Sequence, residues 1–221
     1  MDFFNTIIKF IQDGGWIMFP ILFVFSVGLG IAFERWFKLG SVRKANRIVW
    51  EKLHPVLEEG DFEKARELIG DDTSTVARLL NMGLARQGSV RRRDDIEIAM
   101  EESMMEIIPQ LEKRTVYIAL FANISTLLGL LGTVIGLIEA FTAVAHANPA
   151  EKADMLTGSI SVAMNATALG LVSGIILLVA HVMITTKTGE IIDSLEMASV
   201  KTLNIIAEYA KRQAVLAAKS G

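Results

Sequence analysis

With 221 residues the chain could build one or two soluble domains, but a hydrophobic content of 52% and a mean hydropathy of +0.43 assign it to the membrane class. A net charge of −3 names no partner, and the basic face that nucleic acid requires is missing. The chain has no cysteine, which excludes disulfides, thiolate metal sites and cysteine nucleophiles.

In chain order, residues 1–13 read as a short amphipathic helix in the outer membrane interface, with Phe3, Phe4, Ile7, Ile8 and Ile11 on one face. Gly14-Gly15 allows a sharp turn into a first transmembrane helix over 14–34, with Pro20 near its start and Gly28 and Gly30 leaving room for a neighbour. Its exit, Phe33-Glu34-Arg35-Trp36, reads as an interfacial anchor. Met1-Asp2-Phe3-Phe4 carries no basic n-region, so no cleaved signal peptide is expected.

Residues 35–113 read as a helical cytoplasmic loop. Ser41 caps a helix ending around His54-Pro55, Asp61 caps Phe62–Ile69 with Gly70 as its stop, and Ser74 or Thr75 caps a third helix toward Gly83 or Gly88. From Asp94, apolar residues at helical spacing run into the second span, which predicts one long helix that Pro109 bends or loosens by one turn. The run Arg91-Arg92-Arg93 reads as a solvated face pairing with Asp94, Asp95 and Glu97.

The second transmembrane helix covers 114–145 and the third 159–185, each long enough to cross ~30 Å of hydrocarbon. Between them, 146–158 is a short periplasmic loop in which Asn148 caps the next helix and Pro149 takes its first position. Residues 186–221 continue as a cytoplasmic C-terminal helix. Lys and Arg cluster after the first span, before the second and after the third, which predicts a periplasmic N-terminus and a cytoplasmic C-terminus. The fold expected is therefore an all-α membrane protein with three transmembrane helices and long cytoplasmic extensions.

No nucleotide, metal or nucleophile motif is present, and an enzyme is not expected. What stands out are two apolar helices with side-chain-poor faces. Gly129, Gly132 and Gly136 mark one; Ala166, Gly170 and Gly174, spaced by four, mark the other. Thr133 lies among the first group, and Asn165 and Thr167 among the second. Hydroxyl and amide oxygens can solvate a cation or hold a water chain without titrating, so Thr133, Thr167 and Asn165 are candidates to line an ion path. Their bland reading is a threonine bonding back to the carbonyl one turn earlier. Glu139 is the one carboxylate inside a span, near its outer end, where an interfacial or structural role competes with a functional one.

The stretch Gly129-Leu130-Leu131-Gly132-Thr133-Val134-Ile135-Gly136, the stretch Asn165-Ala166-Thr167-Ala168-Leu169-Gly170-Leu171, the exit Phe33-Glu34-Arg35 and the helix start Gly60-Asp61-Phe62 together resemble the ExbB/TolQ/MotA proton-channel family. Three spans favour its ExbB/TolQ branch. The resemblance implies a homopentamer around two copies of a single-span ExbD/TolR-like protein whose membrane aspartate faces the threonine rings and carries the ion. It implies no cofactor, H+ as the transported ion, a bacterial inner-membrane location among membrane lipid, and work delivered to an envelope process such as TonB-dependent import through a TonB/TolA-like protein. Val162 stands where such proteins often have a glutamate, and Thr126 and Ile176 where they often have prolines. That leaves titration to the partner and Na+ open as the ion. A passive scaffold that packs by its small faces is the competing class.

Overall fold

A computed structural model describes residue 10 and residues 14–86 and 93–220. The described residues are almost wholly helical, in α1 (Met18–Glu58), α2 (Phe62–Ile69), α3 (Thr75–Arg86), α4 (Arg93–Glu112), α5 (Thr115–His146) and α6 (Lys152–Ser220). Three helical stretches are apolar and long enough to cross a membrane, and they lie in α1, the α4–α5 region and α6. This is an all-α membrane protein. The amphipathic helix expected over 1–13 falls outside the described residues but for Phe10, and at the turn expected after it Gly15 has φ +72.

Several boundaries differ from those the sequence predicts. Ser41 caps nothing, because α1 is continuous for 41 residues from the first apolar stretch to Glu58. Leu39, Leu53 and Leu57 are buried along it, and that shared burial holds the helix through Gly40-Ser41 and Pro55. The helix stops where Gly60 adopts φ +79 and its N–H bonds the Leu57 carbonyl at 3.0 Å. The one long helix expected from Asp94 into the second span is divided, and the division is not at Pro109. The proline sits within α4, and the break comes at Arg114, a non-glycine residue in the left-handed region at φ 67, after which α5 begins. A proline removes one backbone bond, whereas a left-handed residue reverses the screw sense and ends the helix.

Likewise Asn148 is not the cap of α6. Its carbonyl accepts from Glu151 N–H at 3.0 Å in a turn, and the first helical bond is Met155 N–H to the Glu151 carbonyl at 3.1 Å. Gly83 does not stop α3 but lies inside it, where a Cβ would come 2.8 Å from Met100 Sδ. The α2 helix has the expected bounds, with Asp61 Oδ1 accepting from Lys64 N–H at 3.1 Å and Gly70 at its end. Ser74 caps α3, its hydroxyl accepting from Ala77 N–H at 3.3 Å. Arg91 and Arg92 lie outside the described residues, so their expected pairing does too.

The chain divides into two compact units. The first comprises residues up to Arg35 with residues 114–184, and in it the small residues Ala122, Ser125, Ala140, Ala163, Ala166 and Ser173 are buried beside Ile17, Met18, Ile21, Ile118 and Leu177. Gly28 of α1 enters the same interior, since a Cβ there would meet Leu177 Cδ1 at 2.9 Å, whereas Gly30 has nothing near it. The second unit, residues 36–113 and 185–220 of those described, has an ordinary aliphatic core of Leu53, Leu57, Ile69, Leu80, Leu84, Met100, Ile107, Ile191 and Leu195. Asn46, buried on α1, bridges to α3 through its Oδ1, which accepts from Thr75 Oγ1 at 2.9 Å and Val76 N–H at 3.2 Å.

Along α6 the buried positions fall at Ala163, Ala166, Gly170, Ser173, Gly174, Leu177, Ile184, Thr188, Ile191, Leu195, Ala198, Thr202, Leu203 and Ile206. Ala163, Gly170, Leu177, Ile184, Ile191 and Ala198 recur every seven residues, while the buried positions between them shift by one, from Ala166 and Ser173 to Thr188, Leu195 and Thr202. One row of constant heptad phase therefore runs from Ala163 to Ala198, beside a second row that shifts by one residue.

Candidate functional site

The two glycine-rich faces meet each other within the first unit. A Cβ on Gly129 would lie 3.1 Å from Gly170 Cα, one on Gly132 2.8 Å from Ala166 Cβ, and one on Gly136 2.5 Å from Ala163 Cβ. Rising positions on α5 thus pair with falling positions on α6, which makes the two helices antiparallel neighbours at backbone contact. Gly170 meets the Gly129 Cα and the Ser125 carbonyl, each 2.7 Å from where a Cβ would be, and Gly174 meets the Thr126 hydroxyl. All the glycines and alanines named from the sequence as packing residues lie in this contact or one turn from it. The closeness follows from the missing side chains, and it is what brings polar backbone and hydroxyl groups of opposite helices within reach.

Thr133 and Thr167 come together at the centre of this contact. Their hydroxyls are hydrogen-bonded to each other across the two helices. Thr167 Oγ1 also donates to the Gly129 carbonyl of α5 at 2.8 Å, and lies 3.2 Å from the Ala163 carbonyl on its own helix. Thr133 Oγ1 is 3.5 Å from that same Gly129 carbonyl, a long and weak back-bond. Back-bonding is therefore part of the picture, but the short bond is the one between helices. Each hydroxyl brings a single proton, so the three oxygens of Thr133, Thr167 and Gly129 keep lone pairs that can accept from another donor. Both threonines are half-buried, so their oxygens are not sealed inside the unit.

Asn165 is half-buried as well but stands apart. Two residues from Thr167 is about 200° around the helix, and among the described residues no hydrogen bond joins its amide to either threonine. Glu139 is exposed on α5, one to two turns beyond Thr133 toward the outer end expected for that span.

Other polar groups were not singled out by the sequence reading. Ser125 is fully buried on the glycine face of α5, and its hydroxyl has no hydrogen-bond partner among the described residues. Ser173 is buried on the facing side of α6. At the charged end of the unit Arg114 Nη1 binds both carboxylate oxygens of Glu34, at 3.0 and 2.8 Å, and Arg35 beside them is 2% exposed. The quartet at the exit of the first span is thus more than an interfacial anchor. The available signal was charge complementarity, a glutamate ending one apolar stretch and an arginine opening the next.

No group of histidine, aspartate or glutamate suited to a metal ion occurs among the described residues. The site is built from neutral oxygens in a membrane helix pair, and such a site can pass or coordinate a cation but cannot itself release a proton near neutral pH.

Residues 71–197 match the family model described as the MotA/TolQ/ExbB proton channel family. A similar protein from Methanothermobacter thermautotrophicus, called a biopolymer transport protein ExbB homolog, is 28% identical over 202 residues, or 89% of this chain and 69% of that protein. Two ExbB-like biopolymer transport proteins of Synechocystis sp. are similar too: one is 28% identical over 80% of this chain and 70% of its own length, the other 27% identical over 73% and 77%. The match spans α3, α4, all of α5 and α6 as far as Met197, and so includes both threonines and every glycine of the contact; the chain belongs to the MotA/TolQ/ExbB proton channels.

Proposed function

We propose that this chain is the ion-conducting subunit of an inner-membrane energy-coupling motor. Five copies form a ring around two copies of a single-span ExbD/TolR-like protein, and proton flow drives an envelope process such as TonB-dependent import. The observation that carries the reading is the meeting of Thr133 and Thr167 at the Gly129 carbonyl in the middle of two apolar helices. A partner aspartate at mid-membrane costs about 2.5–3.5 kcal/mol on the insertion scale. Hydroxyl and carbonyl oxygens able to bond its protonated form, and water its ionised form, lower that cost where the ion must step. One charge falling through 100 mV releases about 2.3 kcal/mol, so a path without such oxygens has a barrier comparable to its driving force.

The N-terminus is periplasmic and the C-terminus cytoplasmic in this reading, with the helices beyond the apolar stretches on the cytoplasmic side. Asn165 lines the same path from a separate face of α6. The test is Thr167→Val, which keeps the shape and removes the hydroxyl. Assembly should persist while ion-driven work is lost, and Thr133→Val should behave alike. Full activity of the valine variants would overturn the lining role. Measuring the parent with and without sodium at fixed membrane potential identifies the ion: activity without sodium is expected, and strict sodium dependence would replace H+ by Na+.

A further inference from the structure

The second unit carries two surface features of opposite charge that its own folding leaves open. Between α4 and α6 lies a groove of about 490 Å3 lined by Glu97, Glu101, Met104, Met105, Ile108, Glu196 and Val200 among others. Its floor is apolar and its rim acidic. Glu97, Glu101 and Glu196 make no ion pair among the described residues, and Met105 and Val200 are 73% and 55% exposed. From 94 to 112 the α4 sequence holds seven acidic residues and no Lys or Arg; Arg93 precedes them and Lys201 follows Val200 on α6, but the charged residues that line the groove itself are all acidic.

The second feature is on α1. From 38 to 52 it holds five Lys or Arg and one acid. Some of that charge is used within the unit: Arg43 pairs with Glu190 at 2.8 Å and Arg47 with Glu51 at 2.7 Å. Lys44, Ile48 and Lys52, at intervals of four, form one exposed stripe, in which Lys44 has no ion pair among the described residues and Ile48 is 54% exposed. Glu97, Glu101 and Met105 repeat the same interval on α4. Each ladder covers eight residues of helix, roughly 12 Å, and each sets charge beside an exposed apolar side chain.

We propose that the acidic groove of α4 and α6 receives the Lys44-Ile48-Lys52 stripe of a second copy of this chain. The inference rests on the ring reading above and assigns the contact that closes it. Because the two surfaces differ, the contact is head-to-tail, and a head-to-tail contact that closes makes a ring, where a self-complementary one would stop at a dimer. The methionines adapt to the incoming Ile48 and supply affinity, while the rim charges set register and reject other occupants. An anionic lipid headgroup or a nucleic acid meets repulsion from the same glutamates.

The chain contains no cysteine, so introduced thiols report cleanly. Two chains with different tags, one carrying Ile48→Cys and the other Met105→Cys, are co-expressed, purified in detergent and oxidised. A mixed disulfide dimer between the two tags is expected, well above the yield when Met105→Cys is replaced by Leu68→Cys at another exposed site. Equal yield in the two pairings, or a predominance of like-tag dimers, overturns the proposal. Native mass spectrometry of the same samples separates the two failures: rings without the mixed cross-link refute this contact alone, whereas monomers refute the ring and the contact together. As a second arm, Glu101→Lys should weaken assembly and Lys44→Glu in the same chain should restore it; absence of rescue also counts against the contact.

Discussion

Gly129 has no side chain, and for that reason its carbonyl is open to the hydroxyl of Thr167 from the facing helix. The prediction at this scale concerns Gly170, where a Cβ would lie 2.7 Å from the Gly129 Cα. Backbone cannot rotate aside, so Gly170→Ala must part the helices; the cost expected is about 1–3 kcal/mol, with the threonine bonds lengthened and ion-driven activity reduced. Gly132→Leu should dissociate the complex outright, while Leu130→Ile, on an exposed part of α5, should be silent in the thermal stability of the detergent-solubilised complex. The convergence of Thr133 and Thr167 was legible in the sequence because four-residue spacing of glycine and alanine is a direct statement about which faces touch. The sequence does not say on which side Asn165 stands from Thr167, and two residues apart on a helix point nearly opposite ways. Arg35 was hidden too. An arginine ending an apolar stretch reads as a headgroup anchor, and only its neighbours in three dimensions make it a buried residue beside Glu34 and Arg114.

Helix ends were legible where a side chain makes them and illegible where packing does. Asp61 and Gly70 bound α2 as their chemistry dictates, but no local signal announces that an arginine will take φ 67 at position 114. Holding a non-glycine residue there costs about 1 kcal/mol, and the pair with Glu34 offsets part of it. Arg114→Gly should therefore be tolerated better than Arg114→Ala, which loses the pair and keeps the strain; thermal unfolding of the two variants checks the order. Asn46 is the pin of α3. Asn46→Ala leaves the Val76 N–H without its acceptor and should cost about 0.5–2 kcal/mol, as losing a cap does. Just before α3, bonds from the Ser74 N–H and hydroxyl, and the field of Lys52, hold the Asp72 carboxyl below its usual range. A carboxyl lowered in the folded state stabilises above its unfolded pKa, and that contribution is lost as pH falls through the lowered value. The expected effect is small because the group is exposed, and it appears as a shallower acid limb of the stability profile for Asp72→Asn.

At the scale of the molecule, the chain passes between its two units three times: inside α1, at Arg114, and inside α6. Only the passage at Arg114 has a joint. On α6 one buried row recurs every seven residues from Ala163 to Ala198 within a single continuous helix. Such a helix transmits angle. One alanine inserted between Thr185 and Thr186 turns everything after it by about 100°, while four turn it by about 400°, close to a full revolution, and lengthen it by about 6 Å. The single insertion should abolish activity and lower thermal stability, and the fourfold insertion should recover much of both despite being longer. If the two insertions fail equally, length and not angle is what the helix carries; if the longer one is rescued, α6 works as a shaft whose use depends on the angular register between the residues before and after the insertion.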